Sequence, residues 1–383
     1  MRIAINPLQL ICSIVLITCI LGVSKPADAG PYEDAKSIFD RGEYATSVNL
    51  LIPLATGGDV RAQRLLGVLH GTGKGIPQDY VEAVKWYRLA AAQGNAEAQF
   101  SLGAMYRNGQ GVAQDHEEEV KWYRLSARKG NIEGQLQLGL IYANGYGGVS
   151  RDYGEAIKWY RLAANQGSAE AQNNLGVMYH AGRGVTRDSS EARQWYRQAA
   201  DGGLATAQYN LGLLYEAGDG VATDYKQAMQ WYRAAADQEM TLAQYSLGTL
   251  YELGRGVGKD CIEATKWYRR AASQGMVKAQ TRIGQVYRYG CGDMRDSKEA
   301  FKWYRLAASQ GDPRAQFELG EMYYSGDGVA RNCEAALRYL GLSSSLIGGT
   351  SENDASGFPR STNANVSLDA IQQLRDKARS CLK

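Results

Sequence analysis

Seven aspartates recur at regular intervals in this sequence. The residue three positions after each aspartate could act with it in general acid–base chemistry. The second residue is Glu in six cases and Gln227 in the other. The aspartates are Asp79, Asp115, Asp152, Asp188, Asp224, Asp260 and Asp296. One active site needs one such pair, whereas every helix start favours an N-cap residue with Glu or Gln three positions later. The spacing therefore predicts seven helix N-termini and no catalytic pair.

Other residues that could take part in catalysis or metal binding do not form a recognisable site. His70, His116 and His180 lie far apart, without a His-x-x-x-His or Cys-x-x-Cys pair. The run Gly71–Gly75 resembles a phosphate loop but lacks the glycine five positions before Gly73, and Gly75 replaces the required Ser or Thr. No serine has a base at a meaningful spacing. We therefore expect no metal, no cofactor and no enzymatic activity.

The tryptophans reveal the internal repeat that positions everything else. All seven begin the tripeptide Trp-Tyr-Arg, and successive copies are 36 or 37 residues apart. They are Trp86, Trp122, Trp159, Trp195, Trp231, Trp267 and Trp303. Such a period indicates an array of identical supersecondary units. Ala98, Leu102 and Tyr106 recur every four residues, and Trp159 and Tyr160 belong to a second apolar stripe, so each unit is predicted to contain two amphipathic helices.

Glycine occurs inside each predicted first helix, where it costs about 1 kcal/mol relative to alanine. These glycines are Gly67, Gly103, Gly139, Gly176, Gly212, Gly248, Gly284 and Gly320. Eight repetitions of this cost predict that the missing side chain makes room for a Trp or Tyr of the neighbouring helix. Gly109-Gln110-Gly111 and its equivalents then predict the turn between the helices.

The repeated pattern also supports a family resemblance. It reads Ala-Glu-Ala-Gln-x-x-Leu-Gly-x-x-Tyr-x-x-Gly-x-Gly-Val-x-x-Asp-x-x-Glu-Ala-x-Lys-Trp-Tyr-Arg-x-Ala-Ala. This run resembles the Sel-one-like repeat, a relative of the tetratricopeptide repeat, in eight units over about residues 59–346. The resemblance implies an all-α, right-handed α-solenoid of two-helix repeats. It also implies an adaptor without chemistry of its own. Members of the family act as such adaptors in bacterial envelope, signalling and host-contact systems.

The segments outside the array have separate predicted roles. Residues 1–29 read as a signal peptide, with Arg2, an apolar run from Leu10 to Val23, and Ala27-Asp28-Ala29 for cleavage. Lipidation at Cys19 and an uncleaved anchor are the alternatives. Residues 30–58 predict an N-terminal capping helix pair, 347–366 a flexible linker, and 367–383 a C-terminal capping helix, for which a tethered ligand is the alternative. The predicted location is periplasmic or secreted.

Charge and hydropathy narrow the class of partner. With 43 Lys+Arg against 40 Asp+Glu, the formal charge of +3 is too balanced for nucleic-acid binding. No stretch after the first 25 residues is apolar for long enough to remain as a membrane span after signal cleavage. A protein or peptide partner is therefore expected, and the sequence does not determine the oligomeric state.

Four cysteines follow the predicted cleavage site: Cys261, Cys291, Cys333 and Cys381. In an exported protein they can form disulfides, with three pairings open and free thiols as the alternative. Stacked neighbouring units would bring Cys261 to Cys291. Cys333 with Cys381 would then hold the last helix.

A binding groove is predicted on the first helices, which line the concave surface of tetratricopeptide-type stacks. The residue after Ala-Gln is aromatic in four units, as Phe100, Tyr209, Tyr245 and Phe317. Aromatic side chains at a variable position suggest peptide contacts, although they could instead fill gaps between helices. The residue before the Ala of Ala-Gln is Glu97, Glu133 and Glu170 in units two to four, and Lys278 and Arg314 in units seven and eight. This distribution favours a bipolar ligand.

The leading functional hypothesis is a non-catalytic scaffold of the bacterial envelope that binds a partner protein, in signalling, export or cell-wall assembly. A secreted host-interaction factor is the first alternative. A hydrolase of peptidoglycan or β-lactams, an activity ascribed to cysteine-rich members of the resembling family, is a weaker one because no nucleophile and base can be named.

Overall fold

The computed structural model describes residues 30–347 and 368–382. These residues form nineteen helices, joined by turns, and no strand. The prediction of an all-α repeat fold is confirmed. The expected signal peptide and nearly all of the expected linker lie outside the described residues. The helices belong to two compact units that divide after Gln166.

The first unit contains eight helices among its described residues. They are α1 (Pro31–Asp40), α2 (Tyr44–Thr56), α3 (Val60–Thr72), α4 (Tyr80–Ala92), α5 (Ala96–Asn108), α6 (His116–Arg128), α7 (Ile132–Asn144) and α8 (Tyr153–Asn165). Each helix packs against its neighbour in the chain. Tyr32 and Ala35 of α1 and Leu51 of α2 share a buried cluster with Leu66 and Leu69 of α3. The N-terminal helix pair therefore covers the first repeat.

Eleven helices follow in the described part of the second unit. They are α9 (Ala169–Ala181), α10 (Ser189–Asp201), α11 (Ala205–Ala217), α12 (Tyr225–Asp237), α13 (Thr241–Leu253), α14 (Cys261–Ser273), α15 (Val277–Tyr289), α16 (Ser297–Ser309), α17 (Pro313–Ser325), α18 (Cys333–Ile347) and α19 (Leu368–Ser380). From α3 to α18, odd numbers are first helices of a repeat and even numbers are second helices. None of the described helices has the length and hydropathy needed to cross a bilayer.

The seven aspartates are N-caps, as predicted. Asp79 accepts a hydrogen bond from the backbone N–H of Glu82 at 3.0 Å, and Asp224 accepts one from Gln227 at 3.0 Å. The backbone N–H of Asp79 donates to the carbonyl of His70 at 2.9 Å. Glu82 forms an ion pair with Lys85 at 2.6 Å. Each aspartate therefore caps its own helix and also ties that helix to the preceding one.

The repeated glycine makes room for the tyrosine of Trp-Tyr-Arg. A Cβ at Gly103 would lie 2.7 Å from the ring of Tyr123, and one at Gly212 would lie 2.6 Å from the ring of Tyr232. Both distances are too short for any side chain larger than hydrogen. In the eighth repeat, which lacks the tripeptide, Leu340 takes the place of the ring, 2.6 Å from a Cβ at Gly320. The glycine thus fixes the close approach of the two helices of a repeat.

The tryptophan lies differently from its tyrosine neighbour. The sequence places both residues in one buried stripe, but Tyr196 and Tyr232 are buried whereas Trp195 and Trp231 are only half-buried. Trp231 packs on a core cluster that combines Tyr196 of α10, in the preceding repeat, with residues of α11 in its own repeat, and Arg197 of α10 lies over its ring at 4.9 Å. The tyrosine therefore forms the core of its own repeat, and the tryptophan joins that repeat to the one before it.

A ladder of glutamines connects helices within and between repeats, and it was not predicted from the sequence. The side-chain amide of Gln99 donates to the carbonyl of Ala91 at 3.1 Å, and that of Gln93 donates to the side-chain oxygen of Gln63 at 2.8 Å. Gln63 and Gln99 are buried, so the bonds satisfy polar atoms that would otherwise be costly to desolvate. The signal was present in the sequence as the Gln of every Ala-Gln and a second Gln thirty residues after several of them.

The cysteines form two disulfides in the structure. Cys261 at the start of α14 is bonded to Cys291, and their Cα atoms are 5.7 Å apart. Cys333 at the start of α18 is bonded to Cys381, after the end of α19, with Cα atoms 6.1 Å apart. Helix α19 packs on α18 and buries Ile371 and Ala378. The C-terminal helix is thus attached to the last repeat by both packing and a covalent bond.

Candidate partner-binding face

The four aromatic residues predicted to line a groove are half-buried, not exposed. Phe100 stacks on Tyr123 with ring centroids 5.2 Å apart. Tyr209 contacts Tyr232 and Tyr245 contacts Tyr268 with tilted rings, at centroid distances of 5.5 and 5.4 Å. These contacts fit the alternative in which the rings fill space between helices. Burial raises the pKa of the Tyr209 hydroxyl, which agrees with this position.

Phe317, in the eighth repeat, is also half-buried. It has no equivalent of the Tyr123 ring to stack on, because Leu340 occupies that place next to Gly320. The four aromatic positions therefore lie at the boundary between the packed interior and the surface of the first helices.

The five charged residues predicted for the groove divide into two groups. Glu97 forms an ion pair with Arg64 of the preceding repeat at 2.8 Å, and Arg314 lies 3.8 Å from Glu318. The others are exposed and form no ion pair with any residue that the structure describes; they are Glu133, Glu170 and Lys278. Each of these three is the second residue of a first helix. We call this set of N-terminal positions, with the half-buried aromatics beside it, the first-helix face.

Further along the first helices of the second unit, carboxylates accept hydrogen bonds from the core tyrosines. The hydroxyl of Tyr232 donates to Glu216 at 2.7 Å, and that of Tyr268 donates to Glu252 at 2.6 Å. Burial is the largest cause, and the nearby carboxylate the next, of a strongly raised pKa at Tyr232. These hydroxyls therefore remain protonated donors at physiological pH and hold the carboxylates in place.

Repeats seven and eight carry a buried ionic network that the sequence analysis did not find. Arg288 of α15, with a side chain 10% exposed, forms ion pairs with Glu318 and, at 3.1 Å, with Glu321. The Tyr289 hydroxyl also donates to Glu318, at 2.6 Å. Burial raises the pKa of Glu321. Because every member has a partner, this network is an internal connection between repeats.

A second polar cluster lies in the first unit, where Glu119 replaces the alanine that follows the Glu of the repeat. Its side chain is 2% exposed and lies 2.9 Å from Nδ1 of His116. Tyr146, in the longer turn of the third repeat, contacts the same imidazole. Burial and the nearby Glu119 raise the pKa of Tyr123 to about 12. The part of the chain that the structure describes contains no group of three or more His, Cys, Asp or Glu able to hold a metal ion.

Comparison with known families accounts for the repeated frame on which these residues lie. The Sel1 repeat matches eight consecutive segments, which are residues 60–95, 96–131, 132–168, 169–204, 205–240, 241–276, 277–312 and 313–346. The chain belongs to the Sel1 repeat family. Each Sel1 repeat begins at the first residue of a first helix; the first seven end three residues after the second helix, and the eighth ends one residue before the end of α18. The resemblance proposed from the sequence is confirmed.

Two solved structures of Sel1 repeat proteins are similar to this chain. One is c5321, described as a protective antigen of uropathogenic Escherichia coli strains with an SLR fold; it is 31% identical over 89% of this chain and 79% of its own, with a TM-score of 0.65. The other, from Oxalobacter formigenes, is 34% identical over 63% of this chain and 99% of its own, with a TM-score of 0.58. Among curated proteins, none matches the chain.

Proposed function

We propose that this Sel1 repeat protein is a non-catalytic scaffold that binds a partner protein along the first-helix face. One observation carries the proposal. The second residue of each first helix changes in charge along the array, while the capping aspartate and core tyrosine recur in repeats one to seven and the internal glycine recurs in all eight. A rigid frame with variable exposed charges suits selective recognition, because charge complementarity at the rim of an interface sets partner choice and association rate.

The scaffold role also agrees with the packing. The core residues occupy the contact between the two helices of each repeat, so the exposed positions can vary without loss of stability. Glu133 and Lys278 are the clearest examples, since both are exposed and neither is held by an ion pair among the described residues. A basic segment of a partner would complement Glu133 of the first unit, and an acidic segment would complement Lys278 of the second.

Charge reversal tests this proposal. The partner is first recovered by affinity purification with the protein from its own envelope fraction, and the enriched protein is then titrated against variants. We expect Glu133→Lys and Lys278→Glu each to raise the dissociation constant about 3- to 10-fold, mostly because association becomes slower at low salt. The melting temperature should stay within about 2 °C, because exposed charges contribute little to stability.

The chain offers a matched control for each variant. Glu117 and Lys298 are exposed and are each the second residue of a second helix, so Glu117→Lys and Lys298→Glu make the same charge change at the same place in a helix. Both should bind the partner as the wild-type protein does. Weaker binding by the second-helix variants together with unchanged binding by the first-helix variants would contradict the proposed face.

We further propose that the protein acts after export, in the periplasm or outside the cell. The support comes from residues 1–29, whose basic start, apolar run and Ala27-Asp28-Ala29 sequence are typical of a cleaved signal peptide. The expected result is an intact mass for a chain beginning at Gly30, found in the periplasmic or culture fraction. A mature chain that begins at a lipidated Cys19 would overturn the cleavage site.

A further inference from the structure

Repeat four departs from the other repeats at a position that normally belongs to the core. Arg193 follows Ala192 on α10, where the other repeats carry an apolar residue or, once, threonine. The equivalents are Val84, Val120, Ile157, Met229, Thr265, Phe301 and Leu337. Val84, Val120 and Ile157 are buried in the cores of their repeats. The array therefore places a guanidinium where its own pattern calls for an aliphatic side chain.

A cavity lies beside this arginine. Its volume is about 240 Å³, and it is lined by Arg193, Gln194 and Arg197 of α10 and by Leu211 and Tyr215 of α11. Leu211 is fully buried, and most of the wall is apolar. Small-molecule sites commonly measure about 300–1,000 Å³. The cavity is smaller than that range and suits a single amino-acid side chain.

The arginine at this cavity has an unsatisfied donor. The Nε atom of Arg193 is buried and has no hydrogen-bond partner among the residues that the structure describes. A buried guanidinium donor without a partner is costly, because it loses water and gains nothing in return. A carboxylate entering the cavity would supply the missing acceptor through a charge-assisted hydrogen bond.

The second arginine at the cavity is already engaged. Arg197 forms an ion pair with Asp201 at 3.1 Å and lies over the ring of Trp231 at 4.9 Å. The equivalent arginines in other repeats donate to tyrosine hydroxyls instead. Arg88 donates to Tyr106 at 2.9 Å, and Arg269 donates to Tyr287 at 2.7 Å. Since Arg197 is neutralised by Asp201, the lining has a net charge of one positive unit from Arg193.

We propose that this cavity binds the side chain of one glutamate or aspartate of a partner polypeptide. A monoanionic carboxylate matches the single free charge of Arg193, and the methylene groups of the same side chain would contact Tyr215. The inference rests on the proposed scaffold function and adds an anchoring point for the partner. It concerns the groove between α10 and α11, apart from the first-helix face.

The test uses two peptides that differ only in charge. Acetyl-Ser-Glu-Ser-amide and acetyl-Ser-Gln-Ser-amide are titrated against the purified protein at low salt, with binding followed by saturation-transfer NMR. The glutamate peptide is expected to bind at least 10-fold more tightly. Arg193→Met should remove this difference while the melting temperature stays constant or rises, because Met229 occupies the equivalent core position in repeat five.

Arg305→Met is the matched control, since it removes an exposed arginine of a second helix far from the cavity lining and should leave the preference for glutamate intact. Three results would each overturn the proposal. The two peptides could bind equally, or Arg193→Met could keep the preference for glutamate. Inorganic phosphate could also displace the glutamate peptide at a phosphate concentration below that of the peptide. If the glutamate peptide binds as expected but first-helix charge reversals do not affect partner capture, the cavity stands and the proposed face fails. The reverse pattern rejects the cavity alone.

Discussion

Replacement of Tyr232 by alanine is expected to lower the free energy of unfolding by about 3–5 kcal/mol, the range for deleting a buried aromatic side chain. The ring is fully buried and packs on Gly212, so its removal leaves a cavity at the closest contact between α11 and α12. Its loss also removes the hydrogen bond from the Tyr232 hydroxyl to Glu216. Denaturant titration followed by circular dichroism measures the change.

The neighbouring residue provides the control for this prediction. Trp231→Ala removes a larger but half-buried side chain, and the expected loss is about half that of Tyr232→Ala. Tyr232→Phe keeps the ring and should cost only about 1 kcal/mol, for the lost hydrogen bond to Glu216. A larger loss for Trp231→Ala than for Tyr232→Ala would show that the tryptophan, not the tyrosine, forms the core of the repeat.

These two residues also show how far the sequence could predict the fold. The period of 36 residues, the capping aspartates and the internal glycines each have one physical explanation, so helix pairs and their boundaries followed directly. Trp231 and Tyr232 are adjacent on one helix, and both fit a stripe about 100° wide or more. Which of them lies at the centre depends on the partner helix, where Gly212 leaves room for only one ring.

The candidate site was harder to predict for a related reason. Phe100 and Tyr209 stand at a variable position, but spacing alone does not show how far a ring turns toward the tyrosine of its own repeat. By contrast, Arg193 and Glu119 were visible as departures from apolar or alanine positions. Their meaning came only from their surroundings, since Glu119 has the partner His116 whereas the Nε atom of Arg193 has none among the described residues.

Removal of the disulfide between Cys333 and Cys381 is expected to cause the second largest loss of stability. This loss should be concentrated in α19. The bond closes a loop of 48 residues, for which the chain-entropy relation gives about 4 kcal/mol. Without it, α19 is held mainly by the burial of Ile371 and Ala378. In Cys333→Ser with Cys381→Ser, the backbone amides of α19 should exchange with solvent at least 100-fold faster, as measured by hydrogen–deuterium exchange and mass spectrometry.

The other disulfide serves as the matched control. Cys261→Ser with Cys291→Ser removes a bond of similar kind between repeats six and seven, where α14, α15 and α16 also pack through a continuous core. Exchange should rise around the turn that carries Cys291, while α19 stays protected. Nearest-neighbour stability in repeat arrays explains the difference: interior repeats have packed neighbours on both sides, whereas α19 packs on one end of the array. Full protection of α19 after loss of its disulfide would mean that packing of Ile371 and Ala378 on α18 is enough to close the array.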